Sequence, residues 1–266
     1  MLPVRLSPCS LDVEDKDGIC STTGVVNQIK LITGADSPAQ AIDDIKKKTK
    51  CGTELCAVKT LSREGKISES EATISIKRMK QPGPSKSTKL LNNDNIDKVL
   101  DSLSSVHKGL YHMKFQMIDF AGTRVLPPTE LGKIDMVKDV IDKGYKKFCV
   151  VMNTDVRTGE GIHWFSIFAD FTTSPMTLEY FNSSGNRPMR QMHEWLVKTH
   201  AHISKSHKCD LVVHSGLIHQ VDSETECGPY SIYYIWRRLN GAPLDEFSKN
   251  RIPDSAMIEF RKHLFA

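Results

Sequence analysis

A cysteine at the expected start of a helix is the residue of this sequence best placed for nucleophilic chemistry. Cys227 lies directly before residues 229–239, which have the pattern of a helix with proline at its first position. The unpaired N–H groups of a first helical turn favour a thiolate and lower the pKa of a cysteine placed there. We therefore expect Cys227 to be the nucleophile of a cysteine protease. The alternative is a small buried apolar side chain, the common state of free cysteines.

A base for this thiol is predicted at the start of a strand. His163 precedes the aromatic-rich segment 164–170, and Asn182 ends the next strand candidate, residues 176–182. If these two strands are antiparallel neighbours, the start of the first lies beside the end of the second. The Asn182 amide then accepts from one ring nitrogen of His163 and leaves the other facing sulfur. Taken singly, either residue is more often structural, because turns recruit histidine and asparagine.

Gln220, in the loop before Cys227, is the candidate oxyanion donor. Acyl transfer to a thiolate places negative charge on the former carbonyl oxygen, which needs N–H groups aimed at it. The Gln220 side chain and the Cys227 backbone N–H are the two donors that we expect. The alternative is a loop glutamine that faces water.

The segments that must position these residues indicate an α+β fold. We predict helices near 96–106, 189–206, 229–239 and 255–264, and strands near 148–152, 164–170, 176–182 and 211–213. Residues 36–80 have helical patterns, with Ser37 and Pro38 opening one helix and Ser68 and Glu71 forming a capping box for another.

A domain boundary is predicted where the helical region ends. Residues 81–89 contain no apolar side chain and have two prolines around a glycine, so neither a helix nor a strand passes through them easily. We therefore expect a helical N-terminal arm domain, residues 1–81, followed by a catalytic core, residues 82–266.

The composition is that of an ordinary globular chain. Its 266 residues carry a net charge of +4, and this excess lies within residues 1–89. Weak polyanion contact through the basic arm is one interpretation of that excess, but a solvated helix face is favoured over nucleic-acid binding. No apolar run is long enough to cross a membrane or to act as a secretion signal, so we expect no membrane span and no secretion.

The cysteines and histidines do not indicate a metal or cofactor site. Seven cysteines at irregular spacings fit a reducing compartment, and Cys9, Cys20, Cys51 and Cys56 are interpreted as reduced structural residues rather than as zinc ligands. The histidines between residues 193 and 219 lack a ligand pair at one helical turn. We expect no metal and no cofactor.

The order of the candidate residues resembles that of a known family. His163, Asn182, Gln220 and Cys227 follow one another as in the ubiquitin-like-specific proteases, which include the SUMO proteases and the adenovirus proteinase. More narrowly, several segments resemble a viral polyprotein-processing protease of that group: residues 153–155, 161–164, 179–185, 225–231, and the Pro-Gly-Pro junction with the residues that follow it. The likeness covers about residues 82–266.

This resemblance implies a papain-like cysteine protease core, a mixed sheet flanked by helices, that follows a small helical arm. It implies Cys227 as nucleophile, His163 as base, Asn182 as the residue that orients the base, and Gln220 as oxyanion donor. Trp164 would line a narrow channel for a glycine-ended peptide. Asn182 stands where most SUMO proteases have aspartate, so the imidazolium of His163 receives less electrostatic stabilisation.

The resemblance also implies a function. A protease of this kind cuts structural polyprotein precursors after Gly-Gly during virion maturation, in the host cytoplasm at assembly sites and in the virion. Two alternatives remain: a deconjugase that removes SUMO or another ubiquitin-like protein, and a catalytically silent binding module of the same fold.

Overall fold

The computed structural model describes residues 6–15, 17–86 and 88–266, and the chain divides into two units. The first contains the described residues as far as Lys86, together with Asp101–Val106 and Arg261–Ala266. The second contains the remaining residues as far as Leu100, together with His107–Phe260. The predicted division into domains at residues 81 and 82 stays a prediction.

Four short helices build the N-terminal part of the first unit: α1 (Thr23–Thr33), α2 (Pro38–Thr49), α3 (Glu54–Arg63) and α4 (Glu69–Lys77). Each buries one apolar face, so that Val25, Ile45 and Val58 meet in a common core. Helix α1 lies before the region in which helices were predicted.

The predicted helix starts were partly right. The Ser37 hydroxyl accepts the Gln40 N–H at the start of α2, and Pro38 is the first helical residue, as expected. The capping box predicted for Ser68 and Glu71 is wrong, because the Ser68 side chain makes no cap hydrogen bond. The Glu71 carboxylate instead accepts from the threonine hydroxyl that caps α1, at 3.3 Å.

Two disulfides in the first unit correct the prediction of reduced cysteines. Cys9 is bonded to Cys20, and Cys51 is bonded to Cys56. The fold brings the Cα atoms of these pairs to 5.3 and 5.5 Å, the separation that a disulfide spans. The spacing of the cysteines in sequence does not reveal this proximity. Cys149, Cys209 and Cys227 are free thiols.

A mixed sheet forms the centre of the second unit. Its strands are β1 (Leu110–His112), β2 (Gln116–Met117), β3 (Lys147–Asn153), β4 (Trp164–Asp170), β5 (Met176–Phe181) and β6 (Cys209–His214). The order is β1-β3-β4-β5-β6, and β2 also pairs with β3. Strands β3, β4 and β5 are antiparallel neighbours, whereas β1, β2 and β6 join in parallel. The predicted α+β class is confirmed.

Six further helices follow: α5 (Asn93–Val106), α6 (Glu130–Lys133), α7 (Arg190–Ile203), α8 (Cys227–Leu239), α9 (Glu246–Lys249) and α10 (Asp254–Leu264). Helices α5, α7, α8 and α10 lie close to the predicted positions, whereas the short helices α6 and α9 were not predicted. A 3-10 turn at Ile118–Ala121 and a π-helical turn at Met136–Ile141 complete the set. Among the described residues, no helix has the length and apolar character that a membrane crossing requires.

The central strands β3, β4 and β5 are buried on both faces of the sheet because helices cover each face. On one face, alternate residues such as Val150 and Ile167 share a core with Leu196 of α7. On the opposite face, the Phe181 ring of β5 stacks on the Tyr234 ring of α8, with centroids 4.6 Å apart. Helix α8 is therefore a central, almost completely buried element of this unit.

A buried ion pair fixes α8 against β5. Arg238 Nη2 and Nε lie 2.8 and 2.9 Å from the two carboxylate oxygens of Glu179, which is fully buried. The Tyr234 hydroxyl donates to the same carboxylate at 2.6 Å, and the Thr177 hydroxyl also donates to it. Because every carboxylate oxygen is bonded, the charge of Glu179 is compensated without water.

Replacing Glu179 by glutamine is expected to lower the free energy of unfolding by about 3–5 kcal/mol, because it leaves the buried Arg238 charge uncompensated. Chemical denaturation measures this loss. The exposed pair of Arg190 and Glu194 is the matched control, and Glu194→Gln should change the stability by less than about 1 kcal/mol. Equal effects of the two substitutions would contradict the assignment.

Candidate active site

His163 and Asn182 meet across the β4–β5 hairpin. The Nε2–H of His163 donates to Asn182 Oδ1 at 2.7 Å. His163 immediately precedes β4 and Asn182 immediately follows β5, and the antiparallel register places Ser166 opposite Phe181. The arrangement predicted from the two strands is therefore present, and Nδ1 is the ring nitrogen left to accept a proton.

The Asn182 amide is held in one orientation by its neighbours. Its Oδ1 accepts from the Ser184 N–H at 3.0 Å and the Ser184 hydroxyl at 2.8 Å. Its Nδ2 donates to the Tyr180 hydroxyl at 3.1 Å, and that hydroxyl donates to the Asn186 carbonyl at 3.2 Å. The roles of Tyr180 and Ser184 were not predicted from the sequence. The one signal for Tyr180 is its position two residues before Asn182, on the same face of the strand.

The loop before His163 is fixed by two buried or half-buried side chains. Asn153 Oδ1 accepts from the backbone N–H groups of Asp155 at 2.9 Å and Ile162 at 3.0 Å. The Asp155 carboxylate accepts from the Gly161 N–H at 2.9 Å, and Gly161 has a φ of +95°, which favours glycine. These bonds determine where the chain re-enters the sheet at β4, and so they aim His163.

Cys227 is the first residue of α8 and is 1% exposed. Burial raises the pKa of its thiol, while the backbone groups of Trp164, Gly228 and Cys227 itself oppose that rise. The helix N-terminus thus acts in the predicted direction, but the expected low pKa is wrong because burial is the larger effect. The Trp164 backbone lowers this pKa through a hydrogen bond, so the thiol lies next to Trp164, the residue that follows His163.

The charge state of the pair follows from burial. Burial lowers the pKa of His163, and the hydrogen bond to Asn182 partly offsets this. Burial also raises the pKa of the Cys227 thiol, so for each of the two groups burial favours the neutral form.

Trp164 is held rigidly beside the nucleophile. Its ring is 4% exposed, and Nε1–H donates to the Leu91 carbonyl at 2.9 Å. The Leu91 side chain in turn packs against Gly228, where an added Cβ would lie 3.0 Å from Leu91 Cβ. A side chain at position 228 would therefore have to displace Leu91, and Trp164 and Leu91 form a wall next to the start of α8.

Gln220 lies beside the residue that follows Asn182. Its backbone N–H donates to the Ser183 carbonyl at 3.0 Å, and its Oε1 accepts from the Ser183 hydroxyl at 2.9 Å. Its Nε2 donates to the Ser223 carbonyl at 2.6 Å. Because an amide nitrogen carries two hydrogens, one N–H remains for another acceptor. The role of Gln220 as oxyanion donor stays a prediction.

No set of three or more histidine, cysteine or acidic side chains that could hold a metal ion occurs within residues 6–15, 17–86 and 88–266. Two of the clustered histidines serve local structure instead. His219 Nε2 bonds to the Phe247 carbonyl at 3.1 Å, and His200 Nε2 bonds to the Cys209 carbonyl at 2.9 Å.

A cysteine at a helix N-terminus, next to the backbone of the residue that follows a histidine oriented by an asparagine, is the arrangement expected of a cysteine protease site on a papain-like core. The known proteins that this chain resembles are also described as cysteine or thiol proteases. The SUMO-1 cysteine protease of African swine fever virus is 33% identical over 232 residues, which cover 81% of this chain and 83% of the relative. A protein of Acanthamoeba polyphaga mimivirus that is described as a thiol protease is 24% identical over 203 residues, covering 76% of this chain and 65% of that protein.

The crystal structure of the African swine fever virus protease is similar throughout. It has a TM-score of 0.77 and 27% identity, and the match covers 100% of this chain and 97% of that one. No family model matches the chain. The chain belongs to the family of viral cysteine proteases that includes the African swine fever virus enzyme, and it is a cysteine protease. The resemblance found in the sequence and the predicted fold are thereby confirmed.

The acid limb of the pH profile of kcat/KM should report the His163 base. We expect this limb below the ordinary histidine pKa of about 6.5, because burial favours the neutral ring. Asn182→Asp places a carboxylate beside Nε2–H, stabilises the imidazolium, and should move the limb to higher pH. Asn182→Ala removes the bond that favours the imidazolium and should move it to lower pH, with a lower kcat.

Asn186→Asp is the matched control for these profiles, since it adds the same charge nearby, at a residue whose side chain bonds to the Ser184 hydroxyl. Its effect should be clearly smaller than that of Asn182→Asp. If Asn182→Asp left the acid limb in place, Asn182 would not be the residue that sets the protonation of the base.

Removing the Gln220 side chain tests the oxyanion prediction. Gln220→Ala should lower kcat by about a hundred- to a thousandfold with little change in KM, because the donor acts on charge that develops during reaction. Gln191→Ala, at an exposed position of α7, should leave both constants unchanged. A loss of less than about fivefold in folded Gln220→Ala would restrict this residue to organising its loop.

Proposed function

We propose that this protease cleaves structural polyprotein precursors after Gly-Gly during virion maturation. The observation that carries the proposal is the rigid surrounding of the nucleophile. Cys227 is almost completely buried next to the Trp164 backbone, and the Trp164 ring is fixed by its hydrogen bond to the Leu91 carbonyl. A peptide that reaches such a thiol has little room for side chains next to the scissile bond, and glycine has none.

The proposed reaction uses the residues in the order that the sequence suggested. His163 Nδ1 takes the proton of Cys227 as Sγ attacks the glycine carbonyl carbon. The Cys227 N–H and the remaining Gln220 Nε2–H stabilise the oxyanion, and Asn182 stabilises the imidazolium. The imidazolium then protonates the leaving amine, and the thioester that remains is hydrolysed by water that His163 activates.

A deconjugase is the second candidate, because the African swine fever virus relative is named a SUMO-1 cysteine protease. Ubiquitin-like modifiers end in glycines, so the same narrow site suits them. A deconjugase would also need a broad surface for the folded modifier. The two functions therefore differ in whether a short peptide suffices as substrate.

The setting that we propose is the host cytoplasm, at assembly sites, and the virion, with Gly-Gly-Xaa polyproteins as substrates. Weak polyanion contact through the N-terminal helices is a lesser part of the proposal. Lys46 pairs with Asp43 at 2.7 Å and Lys47 lies 3.8 Å from Asp44, so part of the positive charge on α2 is neutralised. This favours a solvated helix face over a strong nucleic-acid site.

Cleavage of a short Gly-Gly-Xaa peptide, compared with a SUMO–fluorophore conjugate, tests the function. We expect the wild-type protein to cut the peptide after the second glycine and Cys227→Ala to cut neither substrate. Alanine in place of that second glycine should lower kcat/KM by about a hundredfold, because the methyl group displaces the carbonyl from the thiol.

Turnover of the conjugate without cleavage of the peptide would instead favour the deconjugase. Equal cleavage of the glycine and alanine peptides would show that the rigid surroundings of Cys227 do not exclude a methyl group next to the scissile bond. A folded wild-type protein that processes neither substrate nor a full-length precursor would favour the binding module.

A further inference from the structure

A pocket of about 400 Å³ adjoins the Trp164 side of the active site. Its walls combine apolar side chains with carboxylates and an amide, and the residues that matter here are Leu90, Asp94, Asn153, Glu160, Ile162 and Trp164. Leu90 is 47% exposed and Ile162 is 70% exposed. Within the described part of the chain, no lysine or arginine lines this pocket.

An amide side chain borders the pocket and can donate to a peptide. Asn153 is 2% exposed, and its Oδ1 is occupied by the two backbone N–H groups of the loop before His163. Because Asn153 lines the pocket, its Nδ2–H groups can donate to the carbonyl groups of a bound peptide. The pocket thus offers a donor in addition to its apolar surface.

The charge of the pocket is negative. Glu160 is exposed and forms no ion pair with any described residue, whereas Asp94 is bonded to Lys98 at 2.5 Å. The apolar surface of Leu90 and Ile162 suits an aliphatic stem, and the Glu160 carboxylate suits a cationic end group. Lysine and arginine have this combination, because their methylene stems pack on apolar surface while the charged group stays in water.

We propose that this pocket makes the protease prefer lysine or arginine directly upstream of the two glycines of its substrate. The inference rests on the proposed function, since Trp164 lines the pocket and, in that function, also borders the channel for the two glycines. Glu160 is then a specificity-determining residue. Its attraction is that of an exposed ion pair, so it is modest and weakens as salt screens it.

Three Gly-Gly-Xaa peptides that differ only in the residue before the glycines test the proposal: one with lysine, one with methionine and one with glutamate. At low ionic strength we expect wild-type kcat/KM to be about tenfold higher for lysine than for glutamate, with methionine between them. Added salt should reduce this ratio. Lysine moved to the downstream side of the scissile bond should bring no advantage.

Charge variants assign the effect to Glu160. Glu160→Gln should reduce the lysine preference, and Glu160→Lys should reverse it in favour of the glutamate peptide. Glu194→Gln, on the exposed face of α7, should retain the wild-type ratio. Each result is a ratio of kcat/KM values for two peptides measured with the same protein. A general loss of activity therefore leaves this ratio unchanged.

The outcomes separate this inference from the proposed function. Equal cleavage of the three peptides after Gly-Gly, or a lysine preference that survives in Glu160→Lys, would overturn the inference and leave the proposed function intact. If wild-type protein cut none of the peptides, the proposed function and the inference would both fall.

Discussion

The buried ion pair between Glu179 and Arg238 is the constraint on which the geometry of the site depends. Arg238 lies near the end of the helix that begins at Cys227, and Glu179 lies on the strand that ends just before Asn182. The bidentate bond therefore sets the position of the nucleophile helix relative to the strand that carries the orienting amide. Two buried charges are tolerated only when they are fully paired, so the pair penalises any slippage of the helix on the sheet more severely than apolar contacts would.

Burial also determines which charge states of Cys227 and His163 are favoured. It raises the pKa of the Cys227 thiol and lowers the pKa of the His163 imidazole, so it opposes a standing thiolate–imidazolium pair on both sides. The backbone groups near sulfur and the oriented Asn182 amide counteract this only partly. These groups stabilise charge mainly during the reaction. Fixed dipoles need no rearrangement when charge develops on sulfur, on imidazole and on the carbonyl oxygen. A neutral asparagine suits such a site, because a buried carboxylate would need compensation of its own.

Local patterns in the sequence predicted the elements that carry the site. The bounds of β4 (Trp164–Asp170) and the pairing that joins His163 to Asn182 follow from two aromatic-rich segments and from the short loop between them. Features that depend on distant contacts could not be predicted in this way. The disulfide between Cys9 and Cys20 reflects how the chain folds back, and the pKa of Cys227 reflects burial by surrounding elements. Both require three-dimensional packing that spacing along the chain does not encode.

A rigid site of this kind has a consequence for specificity. If the wall formed by Trp164 and Leu91 selects for glycine near the scissile bond, as we propose, glycine itself offers no group by which one Gly-Gly sequence can be told from another. Under that proposal, discrimination among such sequences has to come from substrate residues farther away. The pocket that Glu160 borders is suited to this role, since Trp164 lines it and it joins apolar surface to the Glu160 carboxylate. Steric exclusion at the nucleophile and weak charge selection beside it would then be complementary parts of one recognition surface.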